Sequence, residues 1–262
     1  MKIIVCIKQV PGTSKVEIDA TSGVLKRDGI ESKMNPYDLY ALETAFQIKE
    51  KLGGTVTVVT MGPPQARAIV KEAYMMGADD GYLLSDRKFA GSDVLATAYT
   101  LSQGIRVLGI YDLIICGRQT TDGDTAQVGP AVAEYLEIPH VTWVRTIREA
   151  DDRRIIVEQD LADNYEIVAL SYPCLISVEK GICQPRLPSY KRKVATQDKP
   201  VHILAFQDLT DQDEGKYGIS GSATQVEQIF PPELNHDRVI WEGQPAMLAG
   251  KIGRMLKEAK FI

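Results

Sequence analysis

The sequence predicts an open α/β fold: a doubly wound, mostly parallel sheet, an antiparallel β extension, and a C-terminal arm ending in a helix. Three observations carry this expectation. Between residues 3 and 136, short apolar runs alternate with segments of helical period, an order that imposes right-handed crossovers and a parallel sheet covered on both faces. After Pro139 the pattern changes to strand-like pieces separated by charged turns. A polar loop within Cys116–Gly129 joins an apolar run to a helical segment, and such sheets bind ligands at turns of this kind.

Ile3–Ile7 is a short apolar run and reads as a buried strand. Val16–Leu25 alternates around Thr21-Ser22-Gly23, a hairpin signal. Asn35-Pro36 starts a helix, with Asn at the N-cap, Pro at the first turn and Asp38 near the positive end. Leu39, Leu42, Ala45, Phe46 and Ile48 give that helix an apolar face, and Gly53-Gly54 ends it. Strands are expected at Val56–Thr60, Gly81–Leu84 and around Leu113, and helices at Ala66–Met76, Val94–Leu108 and Thr125–Leu136. Thr142–Ile147, Arg154–Gln159 and Glu166–Leu170 read as an antiparallel meander, and Leu175–Val178 as a final strand.

A basic, proline-punctuated segment, Gln184–Lys193, follows, and the acidic stretch Asp208–Gly221 reads as an extended linker. Pro245, Leu248, Ala249, Ile252, Met255, Leu256 and Ala259 recur at three- and four-residue spacing, which predicts a terminal amphipathic helix. A helix about 22 Å long is marginal alone in water, so its stripe requires a docking surface, expected on a partner chain. The domain expected over residues 1–206 is therefore followed by an arm at 207–262.

Composition narrows the function. With 44% apolar and 25% charged residues and a net charge of -5, the chain reads as a globular protein with no broad nucleic-acid surface. No apolar run approaches the roughly 18 residues that span a bilayer, and Met1–Val5 enters a strand pattern without a signal-peptide cleavage region. The four cysteines contain no C-x-x-C pair, which points to buried thiols and a reducing, cytoplasmic setting.

The loop at 116–129 carries the chemistry. The first N–H groups of a helix lack partners and carry partial positive charge, and a phosphate meets both needs. Asp124 with Gln127 reads as a capping box at the helix start. No G-x-G-x-x-G follows the first strand, and there is no P-loop. No Ser-Gly-Gly pyrophosphatase loop, H-E-x-x-H or nucleophile elbow is present, and His140, His202 and His236 are scattered. No catalytic residue and no metal site is expected, so any reaction is that of a bound cofactor.

Four stretches, Val5–Val10, Met34–Asp38, Val59–Gln65 and Gly117–Val128, resemble the β subunit of an electron-transferring flavoprotein, in the family's order and over essentially the whole chain. The resemblance implies a fold like that of the adenine-nucleotide α-hydrolases and a heterodimer with an α subunit carrying its own FAD. Ordinary members hold AMP in the β subunit. Bifurcating members hold a second FAD there, which takes a hydride from NADH. The electrons then part to ferredoxin or flavodoxin and, through the α-subunit flavin, to an acyl-CoA dehydrogenase.

By the same resemblance Cys6, Asn35, Pro36, Tyr37, Asp38 and Met61 line the nucleotide, together with Gly117, Arg118, Gln119, Thr120, Thr121, Asp122, Gly123, Asp124, Thr125, Ala126, Gln127 and Val128. Ordinary members carry three consecutive acids where this chain has Asp122-Gly123-Asp124. The glycine removes a carboxylate from beside a pyrophosphate and allows close approach or positive φ. Arg118 replaces the commoner lysine and can present a fork to phosphate or a flavin carbonyl. FAD is therefore expected here, with AMP the alternative. A free-standing nucleotide-binding regulator is a more distant reading. Pro185, Arg186, Leu187, Pro188, Tyr190 and Lys191 match the family's partner-recognition loop, with Tyr190 the expected apolar anchor and Arg186, Lys191 and Arg192 a basic rim. Gly221–Val226 resembles the family's C-terminal arm.

Overall fold

The computed structural model describes residues 1–12, 17–18, 25–26, 32–227 and 238–262. β1 (Lys2–Cys6) turns Ile3 and Val5 to one side of the sheet and Ile4 to the other, all buried. β2 (Gln9–Pro11) is followed by an antiparallel pair, β3 (Glu17–Ile18) with β4 (Leu25–Lys26), and then by β5 (Ser32–Met34), which pairs back on β2. The pair is the expected hairpin, but its turn at Thr21–Gly23 lies outside the described residues. α1 (Pro36–Leu52) begins after Asn35 and ends at Gly53, as the sequence signals. β6 (Thr55–Met61), α2 (Arg67–Met76), β7 (Asp80–Leu84), α3 (Val94–Leu108), β8 (Leu113–Gly117) and α4 (Val128–Leu136) continue the alternation.

The meander is β9 (His140–Ala150), β10 (Arg154–Asp160) and β11 (Tyr165–Ser171), after which β12 (Cys174–Val178) re-enters beside β8. α5 (Tyr190–Ala195), β13 (His202–Leu204) and α6 (Pro245–Glu258) complete the chain. The nine-stranded sheet runs β11-β10-β9-β12-β8-β1-β6-β7-β13. All neighbours from β9 to β13 pair in parallel. The double winding follows from period-two burial: Val5, Val58, Ile115 and Ile176 pack against α1 and α2, while Ile4, Val59, Ile114 and Leu175 pack against α3 and α4. Each such side chain contributes about 1.5–3 kcal/mol when fully buried.

Three expectations are corrected. α4 starts at Val128 rather than Thr125. Leu175–Val178 is not the final strand, because β13 adds to the far edge beside β7; three residues are too few for a legible alternation. Asp208–Gly221 is not an extended linker. Leu209 and Tyr217 are buried in the α3/α4 core, and the Tyr217 ring lies against Phe89, Tyr99 and Phe206. Past it, Thr224 donates its N–H and hydroxyl to Asp93, the N-cap of α3. α6 forms as expected and buries none of its residues within the chain.

Candidate nucleotide site

β1 and β8 are neighbours, with Cys6 beside Cys116, yet their following helices α1 and α4 pack on opposite faces of the sheet. That divergence opens a crevice at the carboxyl ends of the two strands. Its wall is the loop from Gly117 to Gln127, and its base is the N-terminus of α1. The two are joined by Asn35, which is fully buried. Its amide nitrogen donates to Asp38 Oδ1 and to the Gln119 carbonyl, each at 2.9 Å, and its oxygen accepts from the Thr121 N–H at 3.2 Å. Asn35 therefore makes no side-chain cap on α1, contrary to the sequence reading; its amide is committed to the loop. Gly117 lies against α1 so closely that a β-carbon there would sit 2.5 Å from Asp38 Oδ1 and 2.7 Å from the Tyr37 carbonyl carbon.

The loop's own conformation differs from the one expected. No Asp124 capping box forms: Gln127 is the N-cap of α4 and makes no side-chain cap. Asp124 instead has φ 52° and accepts from the Gln119 amide, while Ala126 has φ 55°. Gly123 has no positive φ, and a β-carbon there would meet only Thr120 Oγ1 at 3.5 Å, an ordinary contact. The left-handed positions thus fall on Asp124 and Ala126, where the chain must turn before entering α4. A left-handed residue followed by one near the right-handed region, here Gln127 at φ −109°, ψ −20°, points successive N–H groups to one side and makes an anion-binding concavity. The N–H groups of Thr125, Ala126 and Gln127 have no acceptor among the described residues. This donor set fits a phosphate.

Lys8 offsets the loop's acids. Its Nζ lies 2.7 Å from Asp122, and its N–H donates to Asp38 Oδ2 at 2.7 Å. The only signal for it was its place in the Val5–Val10 stretch. Burial would raise the Asp122 carboxyl, but Lys8 overcomes it and holds the group below its ordinary value. At Asp38 burial wins, pushing the carboxyl up to about 7 against N–H donors from Asn35, Lys8 and Gly117. Between the ordinary value of 3.8 and about 7 the folded chain holds a proton that the unfolded chain releases. Stability from this group is full below that window and declines as pH rises through it. Chemical unfolding at pH 5 and pH 7 is expected to show a loss of roughly 2–3 kcal/mol that Asp38→Asn removes; an unchanged slope in the variant would contradict the assignment.

Asn35 and Asp38 are thus buried beneath the loop, whereas Cys6, Pro36, Tyr37 and Met61 are half-buried and Thr121–Thr125 are exposed. The Cys116 thiol is raised well above its ordinary value by the Cys6 thiol beside it and by burial, so it stays protonated. Arg118 is held by the Glu179 carboxylate and donates from Nε to Gln119 at 2.6 Å. In the segment 185–191, Leu187 and Tyr190 are 86% and 79% exposed. Arg186 turns back onto α1, bonding Glu43 at 2.7 and 3.0 Å and Glu50 at 2.8 Å, and Arg192 turns back onto the Met76 carbonyl. Of the expected basic rim, Lys191 and Arg192 are exposed and Arg186 is half-buried. No metal-binding cluster occurs, and no helix is long and apolar enough to cross a membrane, among the described residues.

Sheet order, two-faced helix packing and a donor-rich loop at the switch point define a doubly wound α/β protein. An electron transfer flavoprotein domain matches residues 22–208. The chain is 47% identical over 244 residues to the electron transfer flavoprotein subunit beta of Thermoanaerobacterium thermosaccharolyticum, covering 93% of each chain. It is 41% identical over 264 residues to the caffeyl-CoA reductase-Etf complex subunit CarD of Acetobacterium woodii, covering 100% of each. It is also 39% identical over 250 residues to the acryloyl-CoA reductase electron transfer subunit gamma of Anaerotignum propionicum, covering 93% of each. The chain belongs to the electron transfer flavoprotein β-subunit family.

Proposed function

We propose that this chain is the β subunit of an electron-bifurcating electron transfer flavoprotein and holds FAD in the crevice between β1 and β8. The observation that carries the reading is the Asp122-Gly123-Asp124 loop. Asp122 is paired with Lys8, Asp124 is engaged by Gln119, and the position between them has no carboxylate. A doubly charged pyrophosphate then meets the free N–H groups of Thr125, Ala126 and Gln127 with little opposing charge. The names of relatives from caffeyl-CoA and acryloyl-CoA reductase systems support an acyl-CoA dehydrogenase as partner.

When bound, the flavin supplies hydride acceptance from NADH and delivery of electrons to ferredoxin or flavodoxin and, through the α-subunit FAD, to the dehydrogenase. This chain's residues position it. Backbone groups near Cys6 and Met61 hold the adenine, and Asn35 fixes the loop that binds phosphate. Of the expected arm at 207–262, the first part is held on this chain's own core by Leu209 and Tyr217, and the part ending in α6 docks on the α subunit, since α6 leaves Met247, Ile252 and Met255 exposed in this chain. Leu187 and Tyr190 meet the dehydrogenase. Four unpaired cysteines support a cytoplasmic setting.

The test is to denature the purified heterodimer and count its nucleotides. Two FAD, with NADH-dependent bleaching before denaturation, is the expected result. One FAD with one AMP would return the chain to the ordinary, non-bifurcating class. Gly123→Asp adds a separate check. Because the site has room for a β-carbon, the variant should change stability by no more than about 0.5 kcal/mol. Its added charge should nonetheless lower FAD content, and unchanged flavin occupancy would remove Gly123 from the argument.

A further inference from the structure

Trp143 carries an unusual backbone for a bulky residue, with φ 56°. It lies in a bulge where β9 passes β12: Val141 pairs with Ile176 and Val144 with Val178, so Thr142 and Trp143 face Ser177 alone. The Trp143 N–H is taken up by the hydroxyl of Ser177 at 3.2 Å. A bulge re-aims a side chain, and left-handed bulky residues persist where surrounding structure holds them. Here the re-aimed indole lies under the guanidinium of Arg118, with Cζ 4.4 Å from the ring centroid. Arg118 is thereby held on three sides, by Trp143 below, Glu179 at Nη1 and Gln119 at Nε. Among the described residues its Nη2 has no acceptor.

We propose that Trp143 is a positioning residue that fixes Arg118 as the contact for the distal half of a dinucleotide, and so selects FAD over AMP. The proposal rests on the reading of the crevice as a nucleotide site. Distance across the sheet separates the two nucleotides. With adenine near β1 and β6, the Arg118–Trp143 stack stands over β12 and β9. At about 4.8 Å per strand, β9 is about 14 Å from β1. A mononucleotide anchored at β1, with its phosphate on the Thr125–Gln127 N–H groups, leaves that edge empty, whereas a dinucleotide extends beyond its first phosphate.

The test titrates FAD and AMP separately into heterodimer stripped of its β-subunit nucleotide, for wild type, Trp143→Phe and Trp143→Gly. Glycine accepts the positive φ, so Trp143→Gly removes the ring without adding strain. The expected result is a loss of FAD affinity of about tenfold in Trp143→Gly, a smaller loss in Trp143→Phe, and AMP affinity within about twofold of wild type. In a Trp241→Phe background, FAD but not AMP should quench the fluorescence of this chain's remaining indole, read as the difference from the same heterodimer carrying Trp143→Phe as well. Equal losses for FAD and AMP, or no loss for either, would overturn the proposal. Wild type that binds AMP but not FAD also overturns it and leaves the nucleotide site standing. Wild type that binds neither overturns the underlying reading as well.

Discussion

Asn35→Ala is expected to cost about 2–4 kcal/mol of stability and to release the Gly117–Gln127 loop. The substitution removes three hydrogen bonds from a fully buried amide. It leaves the Gln119 carbonyl and the Thr121 N–H to find new partners, and each buried group left unsatisfied costs about 1–3 kcal/mol. For a chain of this length, about 2–4 °C is lost per kcal/mol, so the melting temperature should fall by roughly 4–16 °C. Nucleotide should be lost on desalting at the same time. Asn35→Asp is not a rescue. It restores an acceptor for Thr121, but it sets carboxylate oxygens against Asp38 and the Gln119 carbonyl, and a carboxylate, unlike the amide, has no hydrogen to donate. Retained nucleotide with a melting point near wild type would show that the loop is held from elsewhere.

Gly117→Ala is expected to be comparably damaging through sterics alone. Its β-carbon would press on Asp38 Oδ1 at 2.5 Å, the Tyr37 carbonyl carbon at 2.7 Å and Tyr37 Cβ at 2.8 Å. Backbone cannot rotate away, so the first turn of α1 must move, at a cost of about 1–3 kcal/mol or more. Gly123→Ala is the control in the same loop, because its β-carbon would meet only Thr120 Oγ1 at 3.5 Å. Denaturant unfolding of the two variants should separate them by at least about 1 kcal/mol. Equal stability would mean that α1 yields freely at its N-terminus, and the crevice would then lack a rigid base.

The two glycines show how far a sequence can be read. Both lie in one conspicuous loop, and glycine signals conformational need without saying which need. Close approach or positive φ was expected at Gly123; the left-handed positions belong to Asp124 and Ala126, and the glycine that packing requires is Gly117. The capping box failed for a related reason. Asp124 and Gln127 have the right spacing, but the loop's bonds to Asn35 and within itself delay the helix to Val128. Arg186 read as part of an exposed rim because charge is usually solvated; acids on α1 draw it inward instead, while Arg192 stays exposed with one bond to the Met76 carbonyl. The Asp208–Gly221 stretch misled in the same way, since two of its few apolar residues, Leu209 and Tyr217, dock in the core while Ile219 stays exposed.

The sequence by itself determined the alternation of strands and helices, the place of the loop at the end of β8, the amphipathic terminal helix and the family. These rest on local periodicity and on motifs of a few residues, which the chain carries whatever surrounds it. The tertiary structure alone decided what holds the crevice. Asn35 reaches a loop 84 residues away, Lys8 meets Asp122 across 114, and Trp143 reaches Arg118 from another strand. Such contacts have no period and no spacing in the sequence. They arise only when parallel strands from distant segments end side by side, and that same meeting of distant ends opened the crevice at the carboxyl ends of β1 and β8.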